Sequence, residues 1–415
     1  MTLETQPIKQ TLLSASALSD RAYEYLGAHF CENGRGCTFR VFAPHAESVS
    51  LCGDFNSWDP RVNPMQRVSS SGIWELFVDK ELAARCKYKY FLRREGDGRG
   101  AFKSDPFGFG AEKHPNAASV VEDLDRYPWR DDGWMAYRKK YFAREKIAEQ
   151  PIHIYQMDPV WWKRRGDGSL YGYGELASEL IPYVKQMGYT HVELLGVTCG
   201  FTAEKNIPDA LYAPSPALGE PWELMAFVDS MHEAGVGVIL RWNPFCFAAS
   251  EHGLSDFDGA PLYECGAERA NVRFFDLEKA EVQSFLVSNA LFWAKKYHAD
   301  GLSIDPRVQK NREIDSRSSE TDFLQLLDTH IAAQCPDVMT VIGKAPKIKI
   351  SLMGSEFGDV WTEMSERPLC WSLLDQYTHA EMQLFTAKQN HFYLSHPTQE
   401  NGNDAADRHI GINKD

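Results

Sequence analysis

The sequence predicts an α/β chain in which an N-terminal β-sandwich is followed by an incomplete TIM-type β/α barrel. Two textures and a count predict it. Up to about residue 123, short alternating apolar and polar runs are separated by Gly, Asp, Asn and Ser clusters, the pattern of a sandwich of about a hundred residues. Beyond residue 150, apolar strands alternate with amphipathic helices, the grammar of parallel βα units. Six strand candidates can be counted there, where a closed barrel needs eight.

Length and charge agree with two domains, one small and one of barrel size. The chain has 415 residues, 12% of them aromatic, enough for a substantial core. No apolar run approaches the roughly 20 residues of a membrane span, so a soluble protein without membrane contact is expected. Lys and Arg number 44 against 58 Asp and Glu, giving −14, which argues against nucleic acid and fits a neutral ligand. Nine cysteines without a C-x-x-C pair argue against a disulfide framework and a zinc ribbon, and no metal or cofactor is expected. The first twenty residues lack an apolar export segment after a basic cluster, so a reducing cytoplasm is the expected compartment.

In chain order, residues 1–19 read as a flexible arm rich in Gln, Thr, Ser and Lys. Residues 20–125 form the sandwich, with strands at 37–42, 48–52, 73–78 and 88–92. Residues 126–150, charged and aromatic by turns, suit a connector with a short helix. Residues 151–395 carry the barrel, with strands at 152–157, 191–197, 236–242, 301–305, 338–342 and 348–354 and helices at 173–187, 222–234 and 280–297. The polar stretch 396–415 reads as a disordered tail.

The stretch His298-Ala299-Asp300-Gly301-Leu302-Ser303-Ile304-Asp305 delivers a carboxylate at the C-terminal end of a strand, where β/α barrels keep their active sites. Asp305 is therefore the best catalytic candidate, but a retaining glycosidase also needs an acid/base carboxyl roughly 5–5.5 Å away. No second carboxyl is apparent at a matching position.

Within the sandwich, Gly53-Asp54-Phe55-Asn56-Ser57-Trp58-Asp59, Tyr88-Lys89-Tyr90 and Phe102-Lys103-Ser104-Asp105-Pro106 resemble the starch-binding-like module that precedes the barrel in glycogen branching enzymes. The same module occurs in glycogen-sensing kinase subunits. The resemblance implies that Trp58, Lys89 and Phe102 stand where relatives hold a glucan, an aromatic ring stacking on the sugar face. The alternative is that Trp58 and Phe102 simply close the sandwich end.

The barrel half resembles glycogen branching enzyme of the α-amylase superfamily through Tyr171-Gly172-Tyr173-Gly174-Glu175-Leu176-Ala177, His191-Val192-Glu193-Leu194, His252-Gly253-Leu254, Phe257-Asp258-Gly259 and Met353-Gly354-Ser355-Glu356-Phe357-Gly358. Against that family pattern the catalytic positions depart. Arg241 and Cys246 replace an Asp and a sugar-contacting His after the third strand, and Ser303 replaces the Arg that precedes the nucleophile. Asp305 is kept, as a vestigial nucleophile position, and Gly343 falls where the acid/base Glu is expected. Glycine can do no proton transfer. The sixth and seventh strands have no counterpart.

Two function classes follow: an α-glucan-binding protein without transferase activity, or an active branching enzyme or related retaining glycan-active enzyme with an altered site. Glu356 as a replacement acid and Cys246 as a thiol nucleophile are weighed against structural roles, as are His153, His191 and His232 as ligands. Arg241 is expected to pair with Asp305 across neighbouring strands, or else to turn outward. Strands 338–342 and 348–354 are expected either to pair directly or to leave a gap, and a gap allows homo-oligomers through the open barrel edge.

Overall fold

The computed structural model describes residues 19–31, 36–79, 85–94, 100–113, 115–144, 146–198, 207–269, 271–304, 317–342, 348–363 and 365–396. The sandwich is built from β1 (Gly27–Phe30), β2 (Cys37–Phe42), β3 (Ala46–Gly53), β4 (Gln66–Arg67), β5 (Ile73–Val78), β6 (Lys87–Arg94), β7 (Gly100–Lys103), β8 (Gly110–Ala111) and β9 (Ser119–Val120). One sheet runs β1-β2-β5-β4, the other β3-β6-β9-β8 with β7 added on β6. Alternation sets the faces: Cys37, Phe39 and Val41 of β2 are buried while Thr38, Arg40 and Phe42 are not fully so, and Phe39 meets Tyr88 edge-on at 4.9 Å.

The sandwich and the barrel share one apolar core. The stretch after β7 makes the join: Lys103 Nζ donates to Ser255 O at 2.7 Å, Ser104 N to His252 O at 2.7 Å, and the Phe107 ring packs against Tyr212 and Phe285. Asp105, fully buried, accepts from the Tyr88 and Tyr90 hydroxyls at 2.7 and 3.0 Å and from Phe107 N at 2.9 Å. Burial pushes its pKa up to about 6, against those hydrogen bonds.

After α1 (Asp132–Tyr141) come β10 (Ile152–Met157), α2 (Pro159–Trp162), α3 (Tyr173–Met187), β11 (His191–Leu194), α4 (Pro221–Glu233), β12 (Gly237–Arg241), β13 (Cys246–Ala248), β14 (Glu264–Arg269), β15 (Val272–Phe275), α5 (Ala280–Lys296), β16 (Gly301–Ile304), α6 (Arg317–Gln334), β17 (Met339–Ile342), β18 (Ile348–Leu352) and α7 (Tyr377–Ser395). Six of these strands form a parallel sheet, β17-β16-β12-β11-β10-β18, an incomplete TIM barrel. Every residue of β11, β12 and β16 is buried, as expected of parallel strands covered on both faces. β18 is largely half-buried. It pairs with β10, β17 pairs with β16, and among the described residues no ladder joins β17 to β18. In sequence only five residues separate the two strands, too few for a helical crossover.

Two departures from the expected elements have local causes. The strand expected over 191–197 stops at Leu194, because Gly196 turns the chain at φ 72°. A three-stranded antiparallel sheet, β13-β15-β14, stands between β12 and α5; its short runs carry no readable period.

A buried charge cluster locks the connector to the N-terminal end of the barrel. Asp131 Oδ2 accepts from His232 Nδ1 at 2.7 Å and His298 Nδ1 at 2.8 Å, and His232 Nε2 lies 2.9 Å from Asp300 Oδ2. Asp300 also accepts from Trp134 Nε1, Arg138 and Val238 N. Both ring nitrogens of His232 face carboxylates, which suits the imidazolium. Burial opposes that charge, but Asp300 and the hydrogen bonds to both carboxylates outweigh it and raise the pKa. Gly237 fits this corner because a Cβ would come within 2.2 Å of the His191 ring and 3.1 Å of Asp300 Oδ2.

Candidate functional site

The first candidate surface is the outward face of the β3-β6-β7 sheet. On β6, Tyr88, Tyr90 and Leu92 point into the core, so Lys87, Lys89 and Phe91 point out. Phe102 of β7 is the cross-strand partner of Phe91, their ring centroids 4.9 Å apart. Lys89 and Phe102 therefore share one face.

Trp58 is presented by a tight turn. Ser57 and Trp58 have φ of 54° and 60°, two successive non-glycine residues in the left-handed region, each of which costs on the order of 1 kcal/mol or more. The Asn56 side chain holds the turn, accepting from Gly53 N at 2.9 Å and donating to Leu51 O at 2.9 Å. Asp54 then fixes the ring: Trp58 Nε1 donates to Asp54 Oδ1 at 3.2 Å, while Asp54 Oδ2 accepts from Lys87 N at 3.1 Å. Gly53 permits the crossing, since a Cβ there would come within 2.4 Å of Lys87 O. Trp58 is thus anchored to the start of β6, two residues from Lys89, although no hydrogen bond or ring contact joins Trp58, Lys89 and Phe102 to one another.

Lys89 is buried, and its ammonium has no hydrogen-bond partner among the described residues. Burial lowers its pKa, partly offset by the charges of Glu112 and Glu251. Phe102, half-buried, meets the barrel through its carbonyl oxygen, which accepts from His252 Nδ1 at 3.0 Å.

The second candidate surface is the C-terminal mouth of the parallel sheet. Arg241, at the end of β12, is buried and donates through Nε to Glu193 Oε1 at 2.7 Å. Glu193, in the middle of β11, also accepts from Gln156 Nε2 at 3.0 Å, and Glu363 Oε1 lies 3.9 Å from Arg241 NH1. Asp305 and Gly343 lie outside the described residues, and so does the expected Arg241–Asp305 pair. Arg241 does not turn outward, and one carboxylate it donates to is on β11.

The other weighed residues have structural surroundings. Glu356 is buried, accepting from the Tyr155 and Tyr183 hydroxyls at 2.7 and 2.5 Å, and burial raises its pKa. Cys246 Sγ accepts from Asn243 Nδ2 at 3.2 Å. His153, His191 and His232 are buried, and burial lowers the pKa of the first two to about 3 and about 4. A cleft of about 570 Å³ with Trp134, Tyr137 and Phe142 in its wall opens beside the starts of β11 and β12, at the opposite end of the sheet from Arg241.

Phe91, Asp54, Glu193 and Gln156 were not singled out from sequence. Glu193 did carry a signal: a carboxylate inside an apolar strand requires a cation or donors beside it.

A sandwich presenting aromatic residues and a lysine, joined through one core to a parallel α/β sheet, makes this a β-sandwich and incomplete β/α-barrel protein. Residues 25–108 match the family of carbohydrate-binding module 48, the isoamylase N-terminal domain. Within that class the chain is a relative of the 1,4-alpha-glucan branching enzymes. It is 39% identical over 342 residues to the 1,4-alpha-glucan branching enzyme GlgB of Bacillus subtilis, covering 77% of this chain and 53% of that enzyme. It is 40% identical over 367 residues to GlgB of Saccharophagus degradans, covering 81% of this chain and 49% of the relative. The chain thus spans about half the length of the curated relatives it matches. Among solved structures, a putative alpha amylase from Salmonella typhimurium aligns with a TM-score of 0.58 at 21% identity, covering 77% of this chain and 49% of that one. The catalytic module of the pneumococcal virulence factor SpuA aligns at 0.60 and 16%, covering 81% and 53%. At such identities these two matches establish the fold.

Proposed function

We propose that this chain binds α-glucan on the outward face of its sandwich, through Trp58, Lys89 and Phe102, and carries out no branching. The observation that carries the reading is the shared face: Lys89, whose stem is buried while its ammonium reaches solvent with no hydrogen-bond partner among the described residues, stands on the same face as Phe91 and Phe102. Sugar hydroxyls supply the acceptors it lacks, and an aromatic ring supplies the apolar contact for a pyranose face.

The absence of branching rests on the sequence and on Arg241. Ser303 and Gly343 occupy positions where the resemblance expects the arginine beside the nucleophile and the acid/base. General acid catalysis alone accounts for about 10²–10⁴-fold of such a rate, and the cation at the barrel mouth is hydrogen-bonded to Glu193. Iodine-stained amylose incubated with the full chain tests this, since branching lowers the absorbance. The expected result is an unchanged absorbance. A fall in absorbance that Asp305→Asn abolishes would establish the active enzyme instead.

A further inference from the structure

The last helix, α7, is apolar on its outer side. Its inner side is fixed to the barrel: Asn390 donates to Met187 O at 2.8 Å and accepts from Lys349 Nζ at 2.9 Å, while His379 reaches Phe357 O at 2.6 Å. On the opposite side, Tyr377, Leu384, Phe385 and Phe392 are 77%, 49%, 62% and 60% exposed. With exposed Glu381 and Lys388, these six residues fall within an arc of about 100° on an ideal helix. A helix face so rich in large apolar side chains needs a partner.

The order of residues on that face selects the partner. Tyr377 and Phe392, Glu381 and Lys388, and Leu384 and Phe385 are each placed symmetrically about the midpoint between residues 384 and 385. We propose that α7 packs antiparallel against α7 of a second copy of this chain, about a two-fold axis at that midpoint. Residue i of one copy then faces the residue equidistant on the other side of the midpoint, as an isologous contact requires. Tyr377 meets Phe392, Leu384 meets Phe385, and Glu381 meets Lys388 twice, once on each side of the axis.

Charge fits, and the aromatic residues supply part of the area. Glu381 and Lys388 are the two charged residues in the stripe, of opposite sign, and neither forms an ion pair within the chain among the described residues. A parallel pairing would set like charges against each other; the antiparallel one pairs them. The contact runs roughly 22 Å along the helix at 1.5 Å per residue. Taking about 200 Å² per aromatic side chain, Tyr377, Phe385 and Phe392 leave on the order of 400 Å² in water, half of what one partner contributes to a standard interface. The proposal concerns a helix face and is independent of the strand edges and of the glucan reading.

Sedimentation velocity on the full chain, from about 1 to about 100 µM, tests it, with circular dichroism confirming that each exposed-site variant is folded. The parent is expected to be a dimer in this range, and Phe385→Ser a monomer. Glu381→Lys and Lys388→Glu each set like charges together twice and are expected to weaken association by about tenfold. Combining both reversals re-creates opposite charges and is expected to restore the parent constant. A monomeric parent at the highest concentration would overturn the proposal and leave the face to another segment or partner. A dimer indifferent to these changes, or a double reversal that fails to restore it, would overturn it equally.

Discussion

The sandwich face and the barrel mouth each carry a cationic residue that is largely buried, and the two are treated in opposite ways. Arg241 donates to Glu193, which Gln156 supports from the next strand. Lys89 has no hydrogen-bond acceptor among the described residues, and burial lowers its pKa. A buried charge that is paired and hydrogen-bonded is part of the structure, whereas an ammonium that reaches the surface with no acceptor in the protein among the described residues is open to one from outside. The difference favours a supporting role for Arg241 and, under the proposed function, a ligand-facing role for Lys89.

That contrast breaks most visibly if barrel charges prove dispensable for folding. Asp300→Ala is expected to cost about 3–5 kcal/mol, because it strands His232 and Arg138 in the interior, read as a lower urea midpoint with an unchanged slope. Its pH dependence has two limbs. Asp131 and Asp300 are buried, but His232 holds both below the usual carboxylate range. Their contribution is present above the unfolded Asp value of about 3.9 and lost as pH falls through the folded values. His232 is raised, so its contribution is complete below about 6.5 and lost as pH rises through the folded value. Urea melts across pH are expected to show both limbs in the parent and to lose the upper one in His232→Gln.

Arg241→Ala is expected to cost about 3 kcal/mol through the stranded Glu193 carboxylate, with glucan retention unchanged in the folded fraction. Equal stability to the parent would show that the pair is not structural. Lys89→Met should do the reverse: thermal stability holds, since no ion pair or hydrogen bond among the described residues is lost, while glycogen affinity falls by about tenfold for a lost charged hydrogen bond. Phe102→Ala sharpens the assignment with a smaller loss, about 1 kcal/mol of binding.

Much of this architecture was legible because period and burial coincide. Tyr88, Tyr90 and Leu92 alternate with Lys89 and Phe91 as a strand with one core face must, and β12 reads as a continuous apolar run because both its faces are covered. The carbohydrate module was legible through a motif whose residues also make the turn: Asn56 and Asp54 hold Trp58 in place. What was not legible depends on contacts distant in sequence. The pairing of Arg241 with Glu193 joins residues 48 positions apart, and the inner and outer sides of α7 are defined only once Asn390 finds Met187 and Lys349. The β13-β14-β15 sheet escaped because its strands are short and its ladder is interrupted between Glu264 and Glu268.

Affinity electrophoresis of the folded parent and Trp58→Ala in gels with and without glycogen tests the central claim most directly. The account predicts that glycogen retards the parent and that Trp58→Ala loses most of that retardation, an aromatic contact contributing about 1 kcal/mol or more. Equal retardation of the two proteins, or none for the parent, would contradict it.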